Sequence, residues 1–320
     1  MLRSFLIYLS KASWAQRMVT GWKFAWRAAS RFVAGSTIAD AIQAVRELNG
    51  RGINATLDHL GESTATRQDA IRAKDDILEL LDQINCCDVR ANVSIKLTQI
   101  GLALEESLCA DNLEQILARA KKYDNFIRID MEDTPYTDRT IHQFLQMRRK
   151  GFAKVGIAVQ SYLYRTEKDT RDLIAEGARF RLIKGAYKEP PDLAFPKKAD
   201  VDANFDLLSQ LMLDASLAAG PVCQLSADGR VPPIPAIGTH DPKRIEFAVN
   251  YARKIGLDKA GVEFQMLYGI RRDLQEQLVK DGYPVRVYVP YGTHWYPYFM
   301  RRLAERPANV WFIMSNFFKK

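Results

Sequence analysis

Between residues 53 and 289, short runs of alternating or β-branched residues recur along the chain. Each is bounded by turn residues and separated from the next by a stretch with helical spacing of its apolar positions. A period of two marks a strand, and apolar recurrence at i, i+3, i+4 marks an amphipathic helix. Strands are therefore expected at residues 53–59, 91–97, 126–131, 156–160, 180–186, 235–239, 262–267 and 285–289. Helices are expected at 67–84, 113–122, 137–150, 166–177, 203–219, 242–255 and 271–281. Eight strands alternating with helices predict an α/β fold, a (β/α)8 TIM barrel, and 320 residues suit one such barrel with an appendage. An open doubly wound sheet is the structural alternative, but the first strand-to-helix turn lacks the G-x-G-x-x-G of that fold. Pro190 and Pro191, with the residues that follow to 200, read as a loop after strand five. Residues 221–235, with Pro232 and Pro233, read as a rigid connection before strand six. No linker or internal repeat divides the barrel region, so the chain is read as an arm over residues 1–39 and a catalytic barrel over 40–320.

Charge changes the picture mainly in the arm. Arg3, Lys11, Arg17, Lys23, Arg27 and Arg31 stand there without an acid, together with Trp14, Trp22 and Trp26. A basic aromatic helical arm can rest on an anionic membrane surface or pack on the barrel, and composition leaves both open. No run approaches the ~20 apolar residues of a membrane span. Much of the net charge of +8 is accounted for by this arm and by Lys319 and Lys320. Charges elsewhere are mixed, so no nucleic-acid partner is expected. His59, His142, His240 and His294 are dispersed without metal-ligand spacing, and no metal site is expected. Cys86, Cys87, Cys109 and Cys223 form no C-x-x-C and suit a reducing compartment. The expected location is cytoplasmic, with peripheral contact at the inner face of the membrane as the further possibility through residues 1–39.

In a TIM barrel, the C-terminal ends of the strands carry the chemistry. Those ends are polar here: Asp58 and Glu62, Lys96, Asp130 with Met131, Gln160, Arg181 with Lys184 and Tyr187, Thr239 with His240 and Asp241, Gln265, then Tyr288 and Tyr291. Lys96 and Asp130 come from neighbouring strands and can pair inside the mouth, where a charge needs a partner. After the last strand, Tyr298, Arg301, Arg302 and Glu305 share one helical face. That face can grip a small amphipathic carboxylate through guanidinium forks, or it can be an exposed helix with ordinary Arg–Glu pairs. Spacing alone thus reaches a barrel enzyme acting on a small carboxylate.

At these residues the sequence resembles the proline dehydrogenases, in particular their single-function bacterial form. The matching runs are SIKLT at 94–98, DME at 130–132, GIAVQ at 156–160, RLIKGAY at 181–187, GTH at 238–240, EFQML at 263–267, VYVPYG at 287–292 and YFMRRLAE at 298–305, with Asn309 beyond. The resemblance implies a distorted barrel that holds FAD non-covalently and oxidises L-proline to 1-pyrroline-5-carboxylate, with electrons passed to a membrane quinone. It implies that Arg301 and Arg302 bind the substrate carboxylate, with Lys96 contributing, and that Tyr187, Leu267, Tyr288 and Tyr298 enclose the ring. Asp130 would fix Lys96. Arg181 would lie near the reactive ring nitrogen of the flavin. Met131, Gln160, Ile183, Gly185, Ala186, Thr239, His240, Gln265, Arg302 and Glu305 would supply the other cofactor contacts. Glu62 would form an ion-pair gate with Arg301. The chain is too short to hold an aldehyde dehydrogenase domain as well, so a separate pyrroline-carboxylate (glutamate semialdehyde) dehydrogenase is expected downstream. The alternative on the same barrel is a lysine Schiff-base aldolase using Lys96 or Lys184.

Overall fold

Strand parity organises this molecule. The computed structural model describes residues 6, 8–10, 12–20, 23–61 and 64–305. Glu62 and Asn309 lie outside the described residues, as does the side chain of Glu305. Eight parallel strands close into a barrel in chain order. They are β1 (Asn54–His59), β2 (Ala91–Ile95), β3 (Ile127–Ile129), β4 (Val155–Gln160), β5 (Arg179–Ile183), β6 (Pro235–Gly238), β7 (Glu263–Leu267) and β8 (Val285–Tyr291). β8 closes on β1 in register from Asn54 opposite Arg286 to His59 opposite Tyr291, which carries it two residues past the expected end. β5 stops short of residue 186 because Gly185 takes φ +120, a conformation outside the strand region.

The helices are α1 (Ser13–Thr20), α2 (Lys23–Ala29), α3 (Ile38–Asn49), α4 (Arg67–Cys86), α5 (Glu106–Lys122), α6 (Thr134–Arg149), α7 (Thr166–Ala175), α8 (Lys198–Ala219), α9 (Pro242–Lys254), α10 (Arg272–Lys280) and α11 (Trp295–Glu305). Local chemistry fixes several starts. Thr37 and Thr66 each form a capping box with an Asp three residues on, Asp40 and Asp69. Asp241 caps α9 ahead of Pro242, where the missing N–H costs nothing. Because the Thr37 cap starts α3 at Ile38, the division at residues 39/40 falls inside this helix.

α3 was not among the helices expected from apolar spacing, and its place matters. It packs on β8, β1 and α4, filling the outer ring between the last strand and the first. The helix that follows β8 is thereby free to go elsewhere. α11 packs instead on α1 and α2. Its residues Trp295, Tyr296, Tyr298, Phe299, Met300, Leu303 and Ala304 form a core of their own with Leu6, Ala15, Ala25, Ala29, Phe32, Val33 and Leu60. Trp26 meets Trp295 edge-on with centroids 5.5 Å apart. Of the two fates left open for the arm, one face of it does pack on the protein, against α11. Tyr8, Trp14 and Met18 remain more than half exposed, at 61, 53 and 51 %.

One parity of each strand faces the helices. Leu57, Val93, Ile95, Ile127, Ile129, Ile157, Phe180, Leu182, Ile237, Phe264, Val287 and Val289 are all buried in a single apolar jacket with the inner faces of the helices. The other parity points at the barrel axis and is polar: Asn54, Thr56 and Asp58, Asn92 and Ser94, Arg128, Arg181, Glu263 and Gln265, Arg286 and Tyr288. Below these, residues 226–234 plug the N-terminal end. Asn92 Nδ2 donates to Arg230 O at 2.8 Å and Arg286 Nη2 to Gly229 O at 2.6 Å.

Candidate active site

Buried polar groups must find partners, and at the C-terminal end of the barrel they find one another across the axis. Lys96, just past β2, lies between two carboxylates. Its Nζ is 3.1 and 3.2 Å from the two oxygens of Asp58 and 3.6 Å from Asp130 Oδ2. It also donates to the Tyr288 hydroxyl at 3.3 Å. Lys96 and Asp130 do come together, but the nearer partner is Asp58, and the shortest ionic contact of Asp130 is Arg181 Nη1 at 2.5 Å.

Both oxygens of Asp130 are engaged. Its Oδ1 accepts from Arg181 Nη1 and from Ser94 Oγ at 2.9 Å, and its Oδ2 accepts from Tyr288 OH at 2.8 Å. Burial alone pushes this carboxyl up. Arg181 and Lys96 beside it outweigh that penalty and hold it below the usual carboxylate value. For Tyr288, burial and then the charges of Asp130 and Asp58 push the phenol well above its ordinary value, so it stays a neutral donor. The Arg181 guanidinium stacks over the Tyr288 ring at 5.1 Å, donates from Nη1 to Ser94 Oγ at 2.8 Å and from Nε to Gln265 Oε1 at 2.6 Å.

Other residues named from the sequence sit around this network. Gln160 donates through Nε2 to Glu132 O at 2.7 Å, on the turn that carries buried Met131. His240 Nε2 accepts from Leu267 N at 2.9 Å, so its other ring nitrogen carries the proton and Leu267 is tied to the β6 end. Thr239 N donates to Gln265 O at 3.1 Å. Ile183 at the end of β5 and Gly185, Ala186 and Tyr187 on the turn after it are half-buried, and a Cβ on Gly185 would enter the Tyr162 ring. Tyr298 and Arg302 form a second group on α11. Both are buried, and the Arg302 guanidinium lies over the Tyr298 ring at 4.9 Å. Arg301 beside them is half-buried. This buries the face that an exposed helix would have shown to solvent. Lys184 lies apart, with its Nζ held by Asp202 and by Asp241 at 2.9 Å.

Asp58, Ser94, Glu263 and Arg286 complete the network, and none was singled out for a role. Asp58 was legible as a polar strand end. Ser94 and Glu263 stood within runs that match the family, without a role of their own, and Arg286 carried only the signal of parity, a polar residue at every second position.

The fit of a flavin can be judged from two atoms. Among the described residues, Gln160 Oε1 and Arg181 Nη2, on neighbouring strands, are buried without a hydrogen-bond partner. An orphan acceptor and an orphan cationic donor at the mouth call for a ligand with both kinds of polar edge, which a planar isoalloxazine offers. Arg181 through Nη2 and Gln160 through Oε1 supply that pair, with Gln265, Thr239 and His240 on the adjoining strand ends.

Comparison with known proteins agrees with this architecture. The family model described as Proline dehydrogenase matches residues 41–315. The chain is 37 % identical over 319 residues to Proline dehydrogenase 2 of Bacillus subtilis, covering 99 % of each chain. It is 40 % identical over 298 residues to Proline dehydrogenase of Deinococcus radiodurans, covering 92 % of this chain and 91 % of that one. Among solved structures, proline utilization A from Bdellovibrio bacteriovorus, inactivated by N-propargylglycine, superposes with a TM-score of 0.79 at 24 % identity, over 88 % of this chain and 33 % of that one. This last likeness bears on the fold.

Proposed function

The chain belongs to the proline dehydrogenase family, and on that premise we propose that it oxidises L-proline to 1-pyrroline-5-carboxylate with FAD held at the barrel mouth, passing the electrons to a quinone. The observation that carries this reading is the closed set of Asp58, Lys96, Asp130, Arg181 and Tyr288, which leaves Arg181 one buried donor for a ligand.

When bound, the flavin supplies the two-electron acceptor for hydride from the carbon beside the ring nitrogen. The chain's own residues place and hold the reactants. Arg301 and Arg302 on α11 clamp the substrate carboxylate, with Lys96 as a further cation, while Tyr187, Leu267, Tyr288 and Tyr298 bound the ring. Glu62, outside the described residues, would pair with Arg301 as a gate over it. Arg181 supplies positive charge where electron density accumulates. Met131, Gln160, Ile183, Gly185, Ala186, Thr239, His240, Gln265, Arg302 and Glu305 line the cofactor. A hydride leaves only when the amine lone pair is available, yet no group in the network is a ready base. The Asp130 oxygens already accept from Ser94, Arg181 and Tyr288. The amine proton therefore goes to solvent, and turnover should rise with pH from neutral to alkaline. A flat profile under saturating proline, with chemistry rate-limiting, would count against this step.

The Schiff-base aldolase reading fits less well. Lys96 is engaged by Asp58 and Tyr288 and Lys184 by Asp202 and Asp241, arrangements suited to fixed cations rather than amine nucleophiles. Anaerobic addition of L-proline to the purified protein separates the two. Loss of the flavin band near roughly 450 nm is expected. A colourless protein that takes up no FAD and forms a borohydride-trapped adduct would overturn the proposal.

Tyr8, Trp14 and Met18, exposed on the basic arm, support peripheral contact with an anionic membrane where quinone is found. Among the described residues no helix is long and apolar enough to cross a membrane. Replacing all three by Ser should weaken binding to anionic vesicles at least tenfold, at roughly one kcal/mol or more per buried side chain. Unchanged binding would remove the arm from this role. The product is left for a separate pyrroline-carboxylate dehydrogenase.

A further inference from the structure

The network at the mouth continues downward through Gln265 to the barrel floor. A glutamine amide keeps its shape when turned over, so its neighbours decide which end points where. Arg181 offers only donors and Glu263, as a carboxylate, only acceptors. Gln265 Oε1 accepts from Arg181 Nε at 2.6 Å, and Gln265 Nε2 donates to Glu263 Oε1 at 2.6 Å. Glu263 is itself clamped by Arg286, with Nε to Oε1 at 2.9 Å and Nη2 to Oε2 at 3.0 Å, and both residues are 0 % exposed. The remaining reach of Arg286 goes to Ala55 O at 2.7 Å and Gly229 O at 2.6 Å, which anchors the pair to β1 and to the floor plug.

We propose that Glu263, held by Arg286, is a positioning residue for the reaction at the mouth: it fixes the Gln265 amide, and through it the Arg181 guanidinium, in the one orientation that turns Nη2 to the cofactor. This rests on the reading that Arg181 faces the flavin. Without an acceptor below, only the Arg181 contact orients the amide: its buried NH2 is left unpaired, and the flipped form, which sets NH2 against guanidinium, donor against donor, comes closer in energy and is visited. Arg181 then loses a charge-assisted hydrogen bond and its fixed direction, which corresponds to roughly a tenfold loss in rate.

The test compares the wild-type holoenzyme with Glu263→Gln and with the double variant Glu263→Leu/Arg286→Met. The double variant removes both partners, so no charge is stranded in the interior. The single variant keeps an oxygen that can accept from Gln265 Nε2; it leaves the buried Arg286 charge without its counter-ion, so it should melt earlier than the wild type while its folded form keeps the amide orientation. Three quantities are read: the rate of anaerobic flavin bleaching by saturating proline, the KM for proline, and hydrogen exchange at Arg181 Nε–H by NMR of arginine-labelled protein, assigned with Arg181→Lys. In the double variant the rate should fall about tenfold with KM within about twofold, and Nε–H exchange should quicken about tenfold, while Glu263→Gln stays near wild type on all three. A folded double variant with wild-type rate and exchange would overturn the proposal. So would equal loss of rate in both variants with exchange unmoved, the mark of a purely structural pair. If the wild type itself is not bleached by proline, the flavin reading fails, and the exchange comparison still decides whether Glu263 orders Arg181.

Discussion

The inside of the barrel and the jacket around it are built from the same strands, one residue apart, yet they obey different rules. On β3, Ile127 and Ile129 sit fully buried against helices, while Arg128 and Asp130 face the axis. On β7, Phe264 and Met266 belong to the jacket, and Glu263 and Gln265 to the network inside. Apolar contact is non-directional, so any well-fitting side chains satisfy the jacket. The interior is held by hydrogen bonds with fixed donors and acceptors, and each member is costly once its partner is gone. Alternation thus separates two duties along one strand: the jacket carries stability, and the interior aims the groups that meet the ligands. Barrels of this kind usually fill their interior with branched apolar layers. Here the cations Lys96, Arg128, Arg181 and Arg286 share it with Asp58, Asp130 and Glu263.

The separation makes graded predictions. Phe264→Ala should cost about 4 kcal/mol of stability in denaturant melts and leave the KM for proline unchanged. Arg286→Met should cost nearly as much, about 3 to 4 kcal/mol, because it strands the Glu263 carboxylate, whereas removing both partners should recover most of the loss. A mild single variant would show the interior to be less closed than its geometry implies. Arg301→Met should do the reverse of Phe264→Ala. It should raise the KM for proline by one to two decades, the worth of a charge-assisted contact of about 1.5 to 3 kcal/mol, with a melting temperature close to wild type. An unchanged KM would remove Arg301 from the clamp.

Acid should also distinguish the two regions. Folding lowers the Asp130 carboxyl, so the unfolded chain binds the proton more readily. Its contribution to stability is therefore complete above the ordinary carboxylate value of about 3.9 and is lost as pH falls through the lower folded value. Asp130→Asn should flatten this part of the acid-unfolding profile, whereas jacket variants should shift the whole curve without changing its slope. The smallest effect belongs to neither region: Thr66→Ala, at the capping box of α4, should cost about 1 kcal/mol and leave kinetics untouched.

The eight strands and seven of the helices were legible because the periods of apolar residues are local properties. Polar strand ends pointed to the mouth for the same reason. α3 was passed over: its short capped segment follows the basic arm, and only barrel closure leaves the gap between β8 and β1 that it fills. The placement of α11 was equally hidden. Its Tyr and Arg residues can be read from the sequence, but their burial depends on packing with an arm more than 260 residues earlier in the chain.

Where strands and helices form, which parity of each strand is apolar, and which residue types gather at the C-terminal ends are all written in the linear order of residues. These follow from side-chain chemistry and backbone preference within a few neighbouring residues. Tertiary structure alone decided who pairs with whom: Lys96 with Asp58 more closely than with Asp130, Arg181 with Gln265 and Ser94 from residues 84 and 87 positions away, and Arg286 with Glu263 on the floor. A hydrogen bond needs its partner within about 3 Å and well aligned, and only the closed barrel sets β1 beside β2 and β7 beside β8 and brings Arg181 of β5 to Ser94 of β2 across its axis.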